Sequence, residues 1–148
     1  EYKVKRWSMY SLKTEHSFDS AHFLSGYEGK CSNIHGHRWR VIIEVYGENV
    51  DSVGQTRGMI VDFGTLKNQV RAEADALDHG LIIEKGTLKE KTLEVLNEEG
   101  FKIIEVDFRP TAENFAKYFY DKFKAMGYSV KEAVVYETPN NCASYSEV

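Results

Sequence analysis

A cysteine and two histidines lie close together within the motif Cys31-x-x-x-His35-Gly-His37. If this stretch enters a β-strand, His35 and His37 point to the same side, because side chains alternate along a strand. The residues that follow on that parity are apolar, so the two imidazoles would lie at the rim of an apolar face. Two imidazoles in this arrangement can bind one small cation.

A third imidazole is available at the end of the preceding strand-like segment, where His22 closes the run Phe18-Asp-Ser-Ala-His22. Three histidines with an open fourth position are typical of catalytic zinc. Imidazole also suits copper, iron and nickel, but zinc is the first expectation. A lone histidine is usually a surface or core residue. His16, about 20 Å away along an extended strand, is predicted to be one of these.

Cys31 has two interpretations from its position alone. It could be a fourth ligand that closes a structural metal site. It could instead be a nearby thiolate that the charge of the metal activates. Cys142, in the last predicted strand, has no acid–base partner nearby in sequence and is predicted to be structural.

Two further groups could carry chemistry. Asp78-His79 follows a predicted helix, and a histidine held by a carboxylate can shuttle protons near neutral pH. The alternative is a histidine that the dipole at the helix C-terminus favours. Glu137 ends a mostly apolar strand, so its carboxylate needs a partner if it is buried. That partner could be a guanidine-like heterocycle edge, or a backbone or lysine contact.

The elements that must position these groups follow from periodicity and capping signals. Strands are predicted over residues 9–18, 36–47, 101–108, 128–138 and 142–148, and helices over residues 65–77 and 86–100 and from 111 onward. Asp62 and Thr111 are the predicted N-caps. An apolar stripe on the last helix is predicted to be core: Ala112, Phe115, Ala116, Phe119, Phe123 and Met126. Paired strands separated by helices favour an antiparallel α+β sheet in a single domain over residues 1–148.

Composition excludes some classes of function. The net charge of -4 argues against nucleic-acid binding through bulk charge. No apolar run approaches the length of a membrane span. The charged residues 1–7 lack a following apolar segment, which predicts no signal peptide. Two cysteines do not make a disulfide framework, so a reducing cytoplasm is the predicted location.

Together these residues resemble the 6-pyruvoyl tetrahydropterin synthase and 6-carboxytetrahydropterin synthase family. The matching motifs are Phe18-x-Ser20-Ala21-His22, Cys31-x-x-x-His35-Gly-His37, Val61-Asp62-Phe63, Leu77-Asp78-His79, Pro110-Thr111-Ala112-Glu113-Asn114 and Tyr136-Glu137-Thr138. The resemblance implies the tunnelling fold, with an antiparallel four-stranded sheet in the order strand, strand, helices, strand, strand and with helices on one face. It also implies a homo-oligomer, usually a hexamer, whose subunits join their sheets into a barrel with active sites between subunits.

The resemblance further implies a pterin triphosphate substrate, 7,8-dihydroneopterin triphosphate, and a role for each matched residue. The implied residues are His22, His35 and His37 for zinc, Cys31 as general base, Asp78 and His79 as a second proton-transfer pair, Glu137 for the 2-amino-pyrimidinone edge of the pterin, and Thr111 and Glu113 for the lining of the same pocket. The metal would polarise the oxygens of the substrate side chain.

Within the family, residues 110–114 and the cysteine-containing motif favour the carboxy synthase. That enzyme makes 6-carboxy-5,6,7,8-tetrahydropterin for queuosine and 7-deazaguanine synthesis, with release of acetaldehyde and triphosphate. The alternative is the pyruvoyl synthase, which keeps the three-carbon chain. The residues alone leave two more alternatives. One is a metal-dependent hydrolase, although no glutamate lies beside the histidines in sequence. The other is a non-catalytic, zinc-stabilised binding domain with Cys31 on the metal.

The chain departs from the family pattern after His79. It continues as Gly80-Leu-Ile-Ile83 where Leu-Asn is common, and the segment from Glu84 to Asp107 is longer than in a minimal member. Arg38 and Arg40 lie on the opposite strand parity from the predicted metal ligands, and both are predicted to be solvated.

Overall fold

The computed structural model describes residues 8–147. The prediction that residues 1–7 are not part of a signal peptide therefore lies outside the described residues, as does residue 148. The strands are β1 (Tyr10–His22), β2 (His35–Gly47), β3 (Gly80–Glu84), β4 (Ile103–Val106), β5 (Val130–Thr138) and β6 (Asn141–Tyr145). The helices are α1 (Phe63–Leu77), α2 (Glu90–Glu98) and α3 (Ala112–Ala125), with a short 3-10 turn at Lys30–Ser32.

One mixed sheet contains these six strands in the order β4-β3-β1-β2-β5-β6. The prediction of a four-stranded, wholly antiparallel sheet is therefore wrong. Four strands do form an antiparallel block, β1-β2-β5-β6. The additional strands β3 and β4 extend the sheet beyond β1, and they run parallel to it and to each other.

The sequence did not predict strand β3, because apolar and polar residues do not alternate in this segment. Its Ile82 and Ile83 are both fully buried, so adjacent side chains on opposite faces are apolar alike. Continuous apolar runs of this kind are typical of parallel strands that are covered on both faces. The long segment from Glu84 to Asp107 supplies α2 and β4, and β4 lies within the extra strand predicted over residues 101–108.

The hydrophobic core lies between one face of the sheet and the helices α1 and α3. Alternate residues of β2 from Trp39 to Val45 are buried against it, as the strand parity predicts. The stripe on α3 is confirmed as core at Phe115, Phe119 and Phe123, all fully buried. The prediction that Met126 belongs to the core is wrong, because this residue lies at the helix end with 42% of its surface exposed.

Both predicted helix caps are present. The Asp62 carboxylate accepts a hydrogen bond from the Thr65 backbone N–H at 3.0 Å, and the Thr111 hydroxyl accepts one from the Asn114 backbone N–H at 3.3 Å. Helix α1 begins at Phe63, two residues before its predicted start. These caps satisfy amide donors that the first turn of a helix leaves unpaired.

The other face of the sheet carries charged side chains near the start of β2. Arg38 pairs with Asp19 at 3.0 Å and is largely exposed, as predicted. Arg40 pairs with Glu15 and also stacks on the Tyr136 ring at 4.0 Å, so it is more ordered than a solvated side chain. Within residues 8–147, no helix is both long enough and apolar enough to span a membrane.

Candidate functional site

The register of β1 and β2 brings the three predicted metal ligands together. His22, the last residue of β1, lies directly opposite His35, the first residue of β2. His37 lies two residues further along and on the same face. Within the described residues, the ligand atoms of these three histidines lie within 4.8 Å of one another. The hairpin between the strands therefore converts two separate sequence motifs into one cluster.

The hydrogen bonds of two imidazoles determine which nitrogen is free. His22 Nδ1 lies 2.7 Å from the Pro110 carbonyl oxygen, and His35 Nδ1 lies 2.7 Å from the Asn33 carbonyl oxygen. A carbonyl oxygen can only accept, so both Nδ1 atoms carry the hydrogen. In the neutral rings both Nε2 atoms are consequently unprotonated. Backbone carbonyls commonly orient metal-binding histidines in this way.

The two free nitrogens face each other, with His22 Nε2 only 3.1 Å from His35 Nε2. Two lone pairs at this distance repel unless a proton or a metal ion lies between them. The third nitrogen, His37 Nε2, is buried and has no hydrogen-bond partner in the described part of the chain. Three converging donor atoms with unmet bonding capacity fit a divalent metal ion well.

Burial keeps the cluster in the form that binds metal. Desolvation is the largest effect on His22 and lowers its pKa to about 4, and the neighbouring His35 and His37 contribute in the same direction. Desolvation also lowers the pKa of His37. The Trp39 ring packs edge-on against both imidazoles, at centroid distances of 4.9 and 5.4 Å. Neutral imidazole is the metal-binding form, so His22 and His37 remain competent near neutral pH.

Cys31 lies in the 3-10 turn just before β2, and its backbone carbonyl accepts a hydrogen bond from Leu24 N–H at 2.9 Å. The side chain is half-buried. Its sulfur is not part of the group of ligand atoms that converge within 4.8 Å in residues 8–147. This exclusion argues against Cys31 as a fourth ligand that closes the site.

Asp78 and His79 form a hydrogen-bonded pair in the turn after α1. His79 Nδ1 lies 2.8 Å from Asp78 Oδ2, and the other Asp78 oxygen accepts a hydrogen bond from the Asp19 backbone N–H at 2.8 Å. These two bonds, with that from Asp19 the larger effect, lower the pKa of Asp78. An ionised Asp78 holds His79 with Nδ1 protonated and leaves Nε2 free. The His79 side chain is 79% exposed, so a substrate can reach it.

The turn holds His79 in an unusual backbone conformation. Its φ is 58°, the single positive value among the non-glycine residues that the structure describes. This left-handed conformation costs energy for a residue with a Cβ, and it persists where surrounding contacts impose it. One such contact is the hydrogen bond from His79 N–H to the Asp19 carbonyl at 2.6 Å.

Two cavities border this region. One of about 660 Å³ is lined by residues of both candidate groups, including His37 and His79, and by the apolar Leu96 and Phe101. The other, of about 430 Å³, is lined by His37, Glu137 and residues near them. Strand β2 thus contributes to both cavities at the position of His37. Leu96 and Phe101 had no distinguishing signal in the sequence, because partly or fully exposed apolar residues are common on protein surfaces.

Glu137 lies beside the cluster, with Oε1 3.6 Å from His37 Nε2. This contact is not an ion pair near neutral pH, because burial lowers the pKa of His37 and leaves the ring neutral. In the sequence no glutamate lies next to the histidines. In the folded chain Glu137 does lie next to one of them. Pairing of β2 with β5 brings in a residue one hundred positions away.

Thr111 and Glu113 do not share these cavities. The Thr111 oxygen caps α3, and Glu113 lies exposed in the first turn of that helix. The neighbouring Pro110 does reach the cluster, through the carbonyl that orients His22. Sequence reasoning missed this role, because a main-chain carbonyl carries no residue-type signal.

Comparison with known proteins agrees with this arrangement. The model of the family described as 6-pyruvoyl tetrahydropterin synthase matches residues 11–148. A Haemophilus influenzae protein named 6-carboxy-5,6,7,8-tetrahydropterin synthase is 33% identical over 142 residues, covering 94% of this chain and all of that protein. A Pyrococcus horikoshii protein with the same name, marked putative, is 37% identical over 144 residues and covers 88% of this chain and 84% of its own.

Solved structures show the same fold. The Caenorhabditis elegans 6-pyruvoyl tetrahydropterin synthase superposes with a TM-score of 0.67 at 25% identity, over 98% of this chain and all of that one. A protein of Wolinella succinogenes described as uncharacterized gives a TM-score of 0.77 at 19% identity, over 95% of this chain and 99% of its own. The family match over nearly the whole chain, the relatives above 30% identity and the shared fold establish that this chain belongs to the 6-pyruvoyl tetrahydropterin synthase family.

Proposed function

We propose that this protein is a zinc-dependent lyase that converts 7,8-dihydroneopterin triphosphate to 6-carboxy-5,6,7,8-tetrahydropterin, with release of acetaldehyde and triphosphate, in queuosine and 7-deazaguanine biosynthesis. The names of the Haemophilus and Pyrococcus relatives support the product. The observation that carries the chemistry is the convergence of one imidazole nitrogen each from His22, His35 and His37 within 4.8 Å. A zinc ion bound there supplies a Lewis acid that polarises oxygens of the substrate side chain.

The protein groups divide the proton transfers between them. Cys31 lies in the 3-10 turn that precedes β2, four residues before His35, and is proposed as the general base toward the substrate side chain. His79 has a free Nε2 that can take and return a proton. Asp78 fixes the ring and its tautomer through the 2.8 Å hydrogen bond. General bases of this kind act within hydrogen-bond reach of the proton they move.

Recognition of the pterin ring is assigned to Glu137. Its carboxylate is one-third exposed, lines a cavity and lies next to His37, so a bound heterocycle would lie beside the metal. A carboxylate can accept two hydrogen bonds from a 2-amino-pyrimidinone edge. Thr111 and Glu113 keep the role that the family resemblance implies, although in a single chain they lie apart from both cavities.

The active form is proposed to be a homo-oligomer, a hexamer as is usual for the family, with sites between subunits. Strand β1 pairs with β2 along its whole length, but on its other side β3 covers only Ser20–His22. Before Asp19, whose N–H and carbonyl bond to Asp78 and His79, no strand among residues 8–147 pairs with that edge, so a strand of another subunit could pair there. Both cysteines are free thiols, which supports a reducing cytoplasm as the location.

Product identification tests the function directly. Zinc-loaded protein incubated with 7,8-dihydroneopterin triphosphate should yield a 6-carboxy product and acetaldehyde, measured by mass spectrometry. A 6-pyruvoyl product would instead support the second candidate, the pyruvoyl synthase, which the description of the family model and the name of the C. elegans protein favour. Absence of turnover with zinc bound and the fold intact would reject both.

Cysteine substitution separates the base from a metal ligand. Cys31→Ala should abolish turnover and leave the zinc content unchanged, because the sulfur lies outside the convergent group. Cys142→Ala is the matched control, since that thiol lies exposed on strand β6 and should be dispensable. Loss of zinc along with the Cys31 thiol would contradict the assignment and favour a closed structural site.

A further inference from the structure

Strand β4 lies against the turn that carries Asp78 and His79. The Leu81 N–H, just after this turn, donates to the Lys102 carbonyl at 2.9 Å. The Lys102 ammonium donates in the opposite direction, to the Asp78 carbonyl at 2.8 Å, and it also reaches the Asp75 carbonyl at 3.4 Å. One residue of the long segment between β3 and α3 therefore holds both sides of the turn.

Packing makes this contact close. A Cβ added to Gly80 would lie 2.6 Å from Ile104 Cδ1, so a side chain at residue 80 would require the end of the Ile104 side chain to move. Gly80 is one of the positions at which the chain departs from the family pattern. Ile104 itself packs against the main core. Gly80 and Ile104 of β4 are thus packed together next to His79.

The Lys102 ammonium meets two needs of this turn. The last carbonyls of a helix lack intrahelical partners and carry partial negative charge, which a cation stabilises. The left-handed conformation of His79 must also be imposed from outside. Asp19 fixes the turn from the β1 side, through its own N–H and carbonyl. Lys102 fixes the turn from the β4 side.

We propose that Lys102 is a positioning residue for the Asp78–His79 pair, which it holds in place through the Asp78 and Asp75 carbonyl oxygens. The hydrogen bonds of the ammonium go to the backbone of the turn, and its positive charge is in addition a minor cause of the lowered pKa of Asp78. The effect of Lys102 on catalysis rests on the proposed function, in which His79 transfers a proton.

Kinetics of two Lys102 variants test the proposal. Lys102→Met should lower kcat on the order of tenfold with KM nearly unchanged, since misplacing a catalytic group by a fraction of an ångström slows the chemical step. Lys102→Arg should restore most of kcat, because a guanidinium can donate to both carbonyls. Lys85→Met is the control: Lys85 lies exposed on the same segment and pairs with Asp107. It should match the parent.

A measurement of order tests the same contact without substrate. The His79 backbone amide should have an NMR order parameter near the rigid value of about 0.85 in the parent, Lys102→Arg and Lys85→Met, and a value toward about 0.6 in Lys102→Met. An unchanged order parameter in Lys102→Met would overturn the proposal, as would kinetics equal to those of Lys85→Met. If the parent turns over no pterin, the proposed function fails, while the order parameter still decides the role of Lys102.

Discussion

At the scale of single residues, the environment of each histidine decides what it can do. His22 and His35 donate from Nδ1 to backbone carbonyls, so their Nε2 atoms are free to bind a metal. His16 lies on the same strand as His22, but its Nε2 contacts the Asp75 carboxylate at 3.2 Å. Equal residue types thus have different chemistry, and the prediction that His16 stands apart from the cluster agrees with its contact.

Zinc binding should distinguish these histidines. His35→Ala removes one of three converging donors, and we expect zinc affinity to fall by about 100-fold or more, since loss of a mere outer partner of a ligand costs 10–100-fold. His16→Ala deletes an imidazole from the same strand and should leave zinc affinity within about threefold of the parent. Zinc titration followed by calorimetry measures both. Retention of tight zinc binding in His35→Ala would refute the three-histidine site.

At the scale of elements, the start of α3 has two structural roles. Pro110 presents its carbonyl to His22, and the next residue, Thr111, caps the helix. The helix then buries three phenylalanines in the core. Because one turn both orients His22 of the candidate metal cluster and begins a core helix, the position of the cluster depends on the packing of α3.

Thr111 substitutions should reveal the capping role. Thr111→Ala should lower the free energy of unfolding by about 1 kcal/mol, because the Asn114 N–H loses its partner. Thr111→Ser keeps the oxygen and should lose much less. Urea denaturation of the two variants measures the difference. Equal stabilities would exclude the cap as a source of stability, and a raised KM in Thr111→Ser would support the implied contact with substrate.

At the scale of the whole molecule, the hydrophobic core is separate from the histidine cluster. The core contains aromatic and aliphatic residues from β1, β2, β5, α1 and α3, and the histidines lie at its rim. Sheet register, rather than metal coordination, places the ligands opposite each other. The protein therefore resembles a preformed catalytic site more than a small domain that folds only when zinc binds.

Removal of the metal should leave a folded protein. After chelation we expect an unchanged far-UV circular dichroism spectrum and a cooperative thermal transition. The free energy of unfolding should fall only by the linkage effect, which is about 2.7 kcal/mol for a zinc concentration 100 times the Kd, and the midpoint should fall accordingly. Circular dichroism with and without chelator measures the fold and the midpoint. Magnesium at the same concentration as zinc serves as the control ion. Unfolding on chelation would instead indicate a structural zinc domain.

The sequence by itself determined the local features of this protein. The helix caps Asp62 and Thr111, the apolar stripe on α3 and the alternation along β2 are short-range patterns, and each agrees with the structure apart from Met126 at a helix end. The sequence also indicated the three histidines that the structure brings together, because histidines at strand parity next to a cysteine are unusual. Motifs in the family order added the expected fold.

Only the tertiary structure decided which distant groups meet. Parallel pairing of β3 had no alternating pattern to reveal it, and Glu137 reaches His37 through strand pairing. The Pro110 carbonyl orients His22 across 88 positions, and the Lys102 ammonium binds the turn at Asp78 across 24. Contacts to main-chain atoms depend on where the backbone passes rather than on residue type. These contacts are therefore determined by the long-range packing of the sheet and helices.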